Sequence, residues 1–198
     1  MTNLRAPRRD FITIVSGLPR SGTSLMLQML TAGGLSVLTD GVRTADEDNP
    51  RGYFEWEGVK TLKRDPSWVP TTVGKAVKAI YWFLNDFPAQ HAYRVIFLRR
   101  NLDEVLASQA RMLERRGTRD GSRDDARMKH LFEQELRETD EWLARQTAFT
   151  TLDVEYQAVI RDPLEQARRV DQFLGGGLDV PAMAGVVDPG LYRSQHRQ

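Results

Sequence analysis

Three short apolar runs punctuate a chain in which apolar side chains otherwise recur every three or four positions. The runs span residues 11–16, 94–98 and 149–154. Each is followed by a polar or glycine-rich break and then a helical pattern, and buried strands joined through helices predict a parallel sheet. A fourth strand is expected near 35–38. A fifth is expected at 69–73, although Pro70 cannot donate to a ladder.

The helical segments carry clearer boundaries. Residues 24–30 place Leu25, Met26, Met29 and Leu30 in a helix closed by Gly33-Gly34. Residues 77–86 are apolar on most sides and stop before Pro88, which predicts a buried helix. Residues 102–115 carry Val105, Leu106 and Met112 among their apolar positions. Asp162 is placed as an N-cap with Pro163 in the first turn of a helix that runs to Leu174 and ends in Gly175-Gly176-Gly177. The stretch 114–146 differs from the rest. A charged, glycine-containing linker precedes a long amphipathic helix with Leu131, Phe132, Leu136 and Leu143 expected inward. A solvated helix lying over the sheet accounts for this pattern; a cover or partner surface beside the site is the sharper alternative. Together the elements predict an α/β fold, a P-loop-type parallel sheet flanked by helices, in one domain over residues 1–198.

Composition narrows the picture mainly by exclusion. Hydrophobic residues make up 40% of the 198 and charged residues 28%, within the range of globular proteins. The net charge of +1 gives no global electrostatic case for nucleic acid or a membrane surface. No cysteine is present, and the three histidines (His91, His130, His196) lack metal-ligand spacing. Arg8-Arg9 precedes an apolar run too short for an export signal, and no segment approaches the ~20 apolar residues of a membrane span. A cytoplasmic location is expected.

The most informative segment is F-I-T-I-V-S-G-L-P-R-S-G-T-S, residues 11–24. A strand runs into Gly17 and a helix begins near Gly22. Successive N–H groups in such a turn form an anion nest, and the helix N-terminus adds partial positive charge. Gly22 permits close approach of backbone to phosphate, and Thr23 and Ser24 supply hydroxyls. The spacing nearly matches G-x-x-x-x-G-K-[ST], but Thr23 stands where the lysine of a nucleoside triphosphatase belongs, and the nearest cation is Arg20. That substitution argues against kinase or NTPase chemistry, for which Asp153 is the one strand carboxylate to hold Mg²⁺.

The second strand ends in Arg99-Arg100-Asn101, and Ser108 follows on the next helix. An arginine at a strand end and a hydroxyl on the following helix can hold one phosphate from two sides. With the loop L-P-R-S-G-T-S (18–24) and R-N-L-D-E-V-L-A-S (100–108), the chain resembles the sulfotransferase family. The first segment is similar to that family's 5′-phosphosulfate loop in the P-R-S-G-T form of its tyrosylprotein and bacterial branches, and the second to its 3′-phosphate motif. Residues 152–156, ending in Tyr156, with Arg161-Asp162-Pro163 and Phe173-Leu174-Gly175, resemble the family's later strand and helix. Residues 49–55, N-P-R-G-Y-F-E, resemble a segment of bacterial members.

The resemblance implies a sulfotransferase-like sheet and transfer of a sulfuryl group from 3′-phosphoadenosine 5′-phosphosulfate (PAPS) to a hydroxyl or amine, releasing adenosine 3′,5′-bisphosphate (PAP), with no required metal. Implied nucleotide-binding residues are Arg20, Ser21, Gly22, Thr23, Ser24, Arg100, Ser108 and Tyr156, with Arg193 near the C-terminus. Arg20 takes the place of the loop cation. A second cation near the sulfuryl group is assigned to Lys75, with Lys78 as rival. None of the histidines matches the family's catalytic context, so a carboxylate base is expected, Glu55 or Asp40. The acceptor is a small molecule or peptide. A P-loop kinase or NTPase, and a noncatalytic nucleotide-binding homologue, stay open as alternatives, as does the oligomeric state.

Overall fold

The computed structural model describes residues 9–42, 52–115, 117, 124–188 and 190. In chain order it contains β1 (Ile12–Gly17), α1 (Thr23–Ala32), α2 (Gly58–Thr61), β2 (Ala76–Lys78), β3 (Tyr93–Arg99), α3 (Leu102–Arg115), α4 (Asp125–Ala144), β4 (Phe149–Glu155), α5 (Tyr156–Arg161), α6 (Pro163–Phe173) and α7 (Val180–Gly185), with 3₁₀ turns at Val69–Thr72 and Tyr81–Asp86. The strands form one sheet in the order β2-β1-β3-β4, every pair parallel. Thr13 lies opposite both Ala76 and Arg94, and Arg94 opposite Thr150.

The sheet is covered on both faces because successive strand residues point to opposite sides and both sets are apolar. Ile12, Ile14, Val77, Tyr93, Val95 and Phe97 join one core, under Val105 of α3 and Leu143 of α4. Val15, Ala76, Ile96, Leu98 and Val154 join the other, under Met26 and Leu30 of α1 and Ala167 and Val170 of α6. Parallel strands carry their C-terminal ends to a common edge. Gly17, Lys78, Arg99 and Glu155 therefore end together, where open α/β sheets place their ligands.

Three expected elements differ. Residues 77–86 are not a helix: Ala76–Lys78 is a strand, and only Tyr81–Asp86 is helical, as a 3₁₀ turn. The segment's apolar content reflects a strand covered on both sides, with Val77 and Ala79 in one core and Ala76 in the other. Residues 69–73 form a 3₁₀ turn rather than a strand, with Pro70 fixing φ in its first turn. Residues 35–38 contribute only a single parallel bridge, Val37 to Ala76, on the outer side of β2. On α4, Leu143 is buried and Phe132 and Leu136 pack against the core, but Leu131 is 44% exposed and does not point inward. The helix from Pro163 is capped as expected, the Asp162 side chain accepting from the Glu165 N–H. Among the described residues, no helix is long and apolar enough to cross a membrane.

Candidate functional site

The loop between β1 and α1 closes on a hydrogen bond from Ser21 N–H to the Leu18 carbonyl, 3.1 Å. Its glycines are sterically required. At Gly17, φ is +139° and a Cβ would lie 2.6 Å from the Leu98 carbonyl oxygen; at Gly22, φ is +104° and a Cβ would lie 2.4 Å from Cδ2 of Tyr156. Gly22 is also the N-cap of α1. No side chain caps this helix and no acidic residue occupies its first turn. The first N–H groups of a helix have no intrahelical partner, and the dipole favours an anion there by about 0.3–1 kcal/mol, up to ~2 where partly buried. Ser21 is 1% exposed and its hydroxyl finds no hydrogen-bond partner. A cradle of close-approach backbone, uncapped N–H groups and a buried unpaired hydroxyl fits a phosphate group.

On the β3 side, Arg100 leaves the strand end and turns toward the loop. Its Nη1 donates to the Arg20 carbonyl at 2.9 Å, and its Nε donates to Glu104 Oε2 at 2.9 Å in a pair whose side chains are 8% and 9% exposed. The other Glu104 oxygen accepts from Gln157 Nε2 of α5 at 2.7 Å. The Arg100 guanidinium lies 4.3 Å from the centre of the Tyr156 ring. Burial pushes the Tyr156 phenol above its usual range, against the pull of Arg100 and Arg20. Arg20 Nε donates to Ser108 Oγ at 3.1 Å. The segment 20–24, Arg100, Ser108 and Tyr156 are thus drawn together from β1–α1, β3–α3 and β4–α5.

Arg99 diverges from its neighbour. It stacks over Phe97 and binds Asp153 at 2.9 Å and Asp140 at 2.5 Å, fastening α4 to the sheet. Burial opposes its charge, but the two carboxylates prevail and raise its pKa. Asp153, the strand carboxylate an Mg²⁺-dependent chemistry needs, is held in this ion pair.

On the β2 side the cation at the loop is Lys78. Its Nζ donates to Ser24 Oγ at 3.2 Å and to the Tyr53 carbonyl at 3.0 Å, and stands 3.7 Å from Glu55 Oε1. Lys75 is not brought there. It precedes β2 at the opposite end of the strands, where its carbonyl accepts from Thr13 N–H at 3.0 Å. β2 begins after Lys75, so the structure brings its rival Lys78, and not Lys75, to the loop edge.

The two carboxylate candidates occupy different settings. Glu55 lies beside Lys78, next to Phe54, whose φ of +52° is uncommon for an aromatic residue. Asp40 accepts from Val42 N–H at 2.9 Å and Glu57 N–H at 2.6 Å, and these backbone bonds hold its carboxyl below the usual range. It clamps two loop segments together. Arg193 and residues 49–51 lie outside the described residues.

Sequence reasoning missed Glu104, Gln157 and the Tyr53 carbonyl. Glu104 had a readable signal, four residues after Arg100 at the start of a helix. Gln157 and Tyr53 had none, since both are joined to the site only through distant contacts.

No family model and no curated protein matches the sequence. Solved structures do. The chain superposes on the sulfotransferase domain of the Synechococcus PCC 7002 olefin synthase with a TM-score of 0.53 at 16% identity, covering 95% of this chain and 85% of that one. Sulfotransferase STF9 from Mycobacterium avium gives 0.53 at 16%, covering 98% and 70%. Mouse sulfotransferase SULT7A1, solved in complex with PAP, gives 0.52 at 17%, covering 92% and 64%. At these identities the likeness establishes a sulfotransferase-like α/β fold.

Proposed function

We propose that the chain is a sulfotransferase that moves a sulfuryl group from PAPS to a hydroxyl or amine of a small-molecule or peptide acceptor, releasing PAP. The observation that carries this reading is the uncapped N-terminus of α1 with a cation on either side: Lys78 at Ser24, from β2, and the Arg20–Arg100–Ser108 cluster, from β3. β1 lies between those two strands. The likeness to sulfotransferase structures, one of them a PAP complex, supports the same reading.

The chemistry is an in-line displacement at sulfur. The acceptor oxygen or nitrogen forms a bond to sulfur as the bond from sulfur to the bridging oxygen breaks. The first N–H groups of α1 and the Lys78 ammonium are donors for the negative charge that grows on that oxygen. Glu55 is the candidate to take the acceptor's proton, by its place beside Lys78. Arg100 and Ser108 hold the 3′-phosphate. The enzyme is proposed to work in the cytoplasm.

A thermal-shift comparison of PAP against ATP with Mg²⁺ tests the proposal. At a hundred times Kd, a ligand stabilises by about 2.7 kcal/mol, which is several degrees for a chain of this size. PAP is expected to raise Tm and ATP–Mg²⁺ to leave it unchanged. The reverse pattern sinks the proposal. PAP binding without PAP release from PAPS across a panel of alcohols, phenols and amines reduces the protein to a nucleotide binder.

A further inference from the structure

We infer that the acceptor is an organic cation, carrying an ammonium group and an apolar body besides its nucleophile, and that Glu135 and Trp82 hold that group. The inference rests on the proposed function and names the acceptor class of the same site.

The first observation is a joint between two elements. Tyr81, in the turn after β2, donates its hydroxyl to Glu135 Oε2 on α4. Burial, and then the bond to Glu135, hold the Tyr81 phenol above its usual range, so it stays a donor. The bond fixes the carboxylate in place. Glu135 is half-buried, and among the described residues no cation pairs with it. An ionised carboxylate offers about four acceptor sites on its two oxygens, and Tyr81 takes one. Drawing such a group partly out of water without a counter-charge is costly. The joint is therefore a seat for a cation.

The second observation is the surface around it. Few large apolar side chains are exposed among the described residues, and two of them flank this joint. Trp82 follows Tyr81, their ring centres 6.4 Å apart. Leu131 stands one helical turn before Glu135 on the same face of α4. Neither side chain joins either core. An indole face attracts a cation and a carboxylate neutralises it, so the two together recognise an ammonium ion. Leu131 adds apolar surface for the rest of the molecule.

The third observation is place. Val77, Ala79 and Tyr81 join the core under α4, so Lys78, between the first two, points to the other face, toward α1. The joint thus lies across the end of β2 from the α1 N-terminus, where the proposed function puts the leaving oxygen. An extended chain spans at most about 3.6 Å per residue, which keeps the backbone of Tyr81 within ~11 Å of that of Lys78 and the backbone of Trp82 within ~14 Å. A small molecule can bridge that distance.

The experiment titrates two matched series of alcohols into the PAP-loaded chain by calorimetry. One series is hydroxyalkyl trimethylammonium ions of increasing chain length; the other is the tert-butyl alcohols of the same shape without the charge. The titrations are repeated on the nucleotide-free chain and on Glu135→Gln and Trp82→Ala. Wild type is expected to bind the best cation at least about fivefold more tightly than its neutral isostere. Glu135→Gln, whose amide oxygen still accepts from Tyr81, is expected to abolish most of that preference while Tm and PAP affinity stay near wild type. Trp82→Ala is expected to weaken the cation severalfold. Should Glu135→Gln fail to fold, Trp82→Ala, at an exposed side chain, carries the test. A neutral isostere that matches the cation in wild type, a preference that survives Glu135→Gln, or no binding of either series overturns the inference. PAP binding is read separately, so the proposed function is untouched by those outcomes. A chain that binds no PAP sinks the proposed function and the acceptor assignment with it.

Discussion

The two flanks of the phosphate loop are built on different plans. The β3 flank is braced from side chain to side chain. Arg100 and Glu104 form a buried pair that the exposed Gln157 of α5 extends, and Tyr156 packs its ring against Gly22. The β2 flank is held by backbone. Lys78 and Ser24 both donate to the carbonyl of Tyr53, beside a left-handed Phe54, and Asp40 clamps the same segment through N–H groups. A nucleotide is one fixed shape, and a rigid corner suits it. An acceptor varies between enzymes, and a segment whose geometry depends on backbone contacts leaves its side chains available for recognition. In this reading the β3 flank is the donor corner and the β2 flank the acceptor side.

The largest test of that division separates the two carboxylates of the β2 flank. Glu55→Gln is expected to lower kcat by roughly 10²–10⁴-fold with PAP binding intact, as loss of a general base does. Asp40→Asn is expected to leave kcat near wild type and lower Tm instead, because its carboxylate serves N–H groups of Val42 and Glu57. The pH dependence follows the same split. A carboxyl depressed in the folded state contributes stability above its unfolded value and loses it as pH falls through the folded value. The Asp40 contribution therefore disappears on the acid side only and leaves the neutral-range rate profile untouched. Full turnover in Glu55→Gln would move the base elsewhere.

A smaller effect tests the bracing of the donor corner. In Gly22→Ala the new Cβ stands 2.4 Å from the Tyr156 ring at a φ of +104°. Backbone strain and overpacking together cost about 2–4 kcal/mol, read from chemical denaturation. Tyr156→Ala in the same chain removes the clash but not the strain. The double variant is expected to be more stable than the sum of the singles predicts, by about 1 kcal/mol or more. Strict additivity would mean that Tyr156 does not brace the loop.

The sequence announced the β3 flank far better than the β2 flank, for a physical reason. β1 and β3 are buried on both faces, so each is a nearly continuous apolar run, and β4, an edge strand with Thr150, Thr151 and Asp153 exposed, still carries Phe149, Leu152 and Val154; the expected boundaries of all three fall within a residue of the observed ones. The loop and the Arg100–Ser108 spacing are contiguous in sequence, and their geometry follows from one strand–turn–helix unit each. β2 has three residues, too few to display a period, and it becomes a strand only by pairing with Thr13, Ile14 and Val15. Lys75 and Lys78 could not be separated until the strand's start was fixed. Arg99 and Arg100 stand one residue apart, and their divergence depends on Asp140 and Asp153, far along the chain.

The smallest expected effect concerns Trp82, in the 3₁₀ turn that follows β2. Its side chain is 67% exposed, unusual for an indole, while its neighbours Tyr81 and Leu84 are buried. Tyr81 anchors the turn by donating to Glu135 of α4. The turn is therefore held without Trp82, and Trp82→Ala is expected to change stability by less than about 0.5 kcal/mol. If the β2 flank receives the acceptor, the same substitution raises the acceptor KM and leaves PAP affinity unchanged, because an exposed aromatic beside the site is contact surface rather than scaffold. Steady-state kinetics with the preferred acceptor, alongside a PAP titration, make the comparison. A drop of several degrees in Tm with KM unchanged would place Trp82 in the scaffold, and the β2 flank would then be braced by side chains much as the β3 flank is.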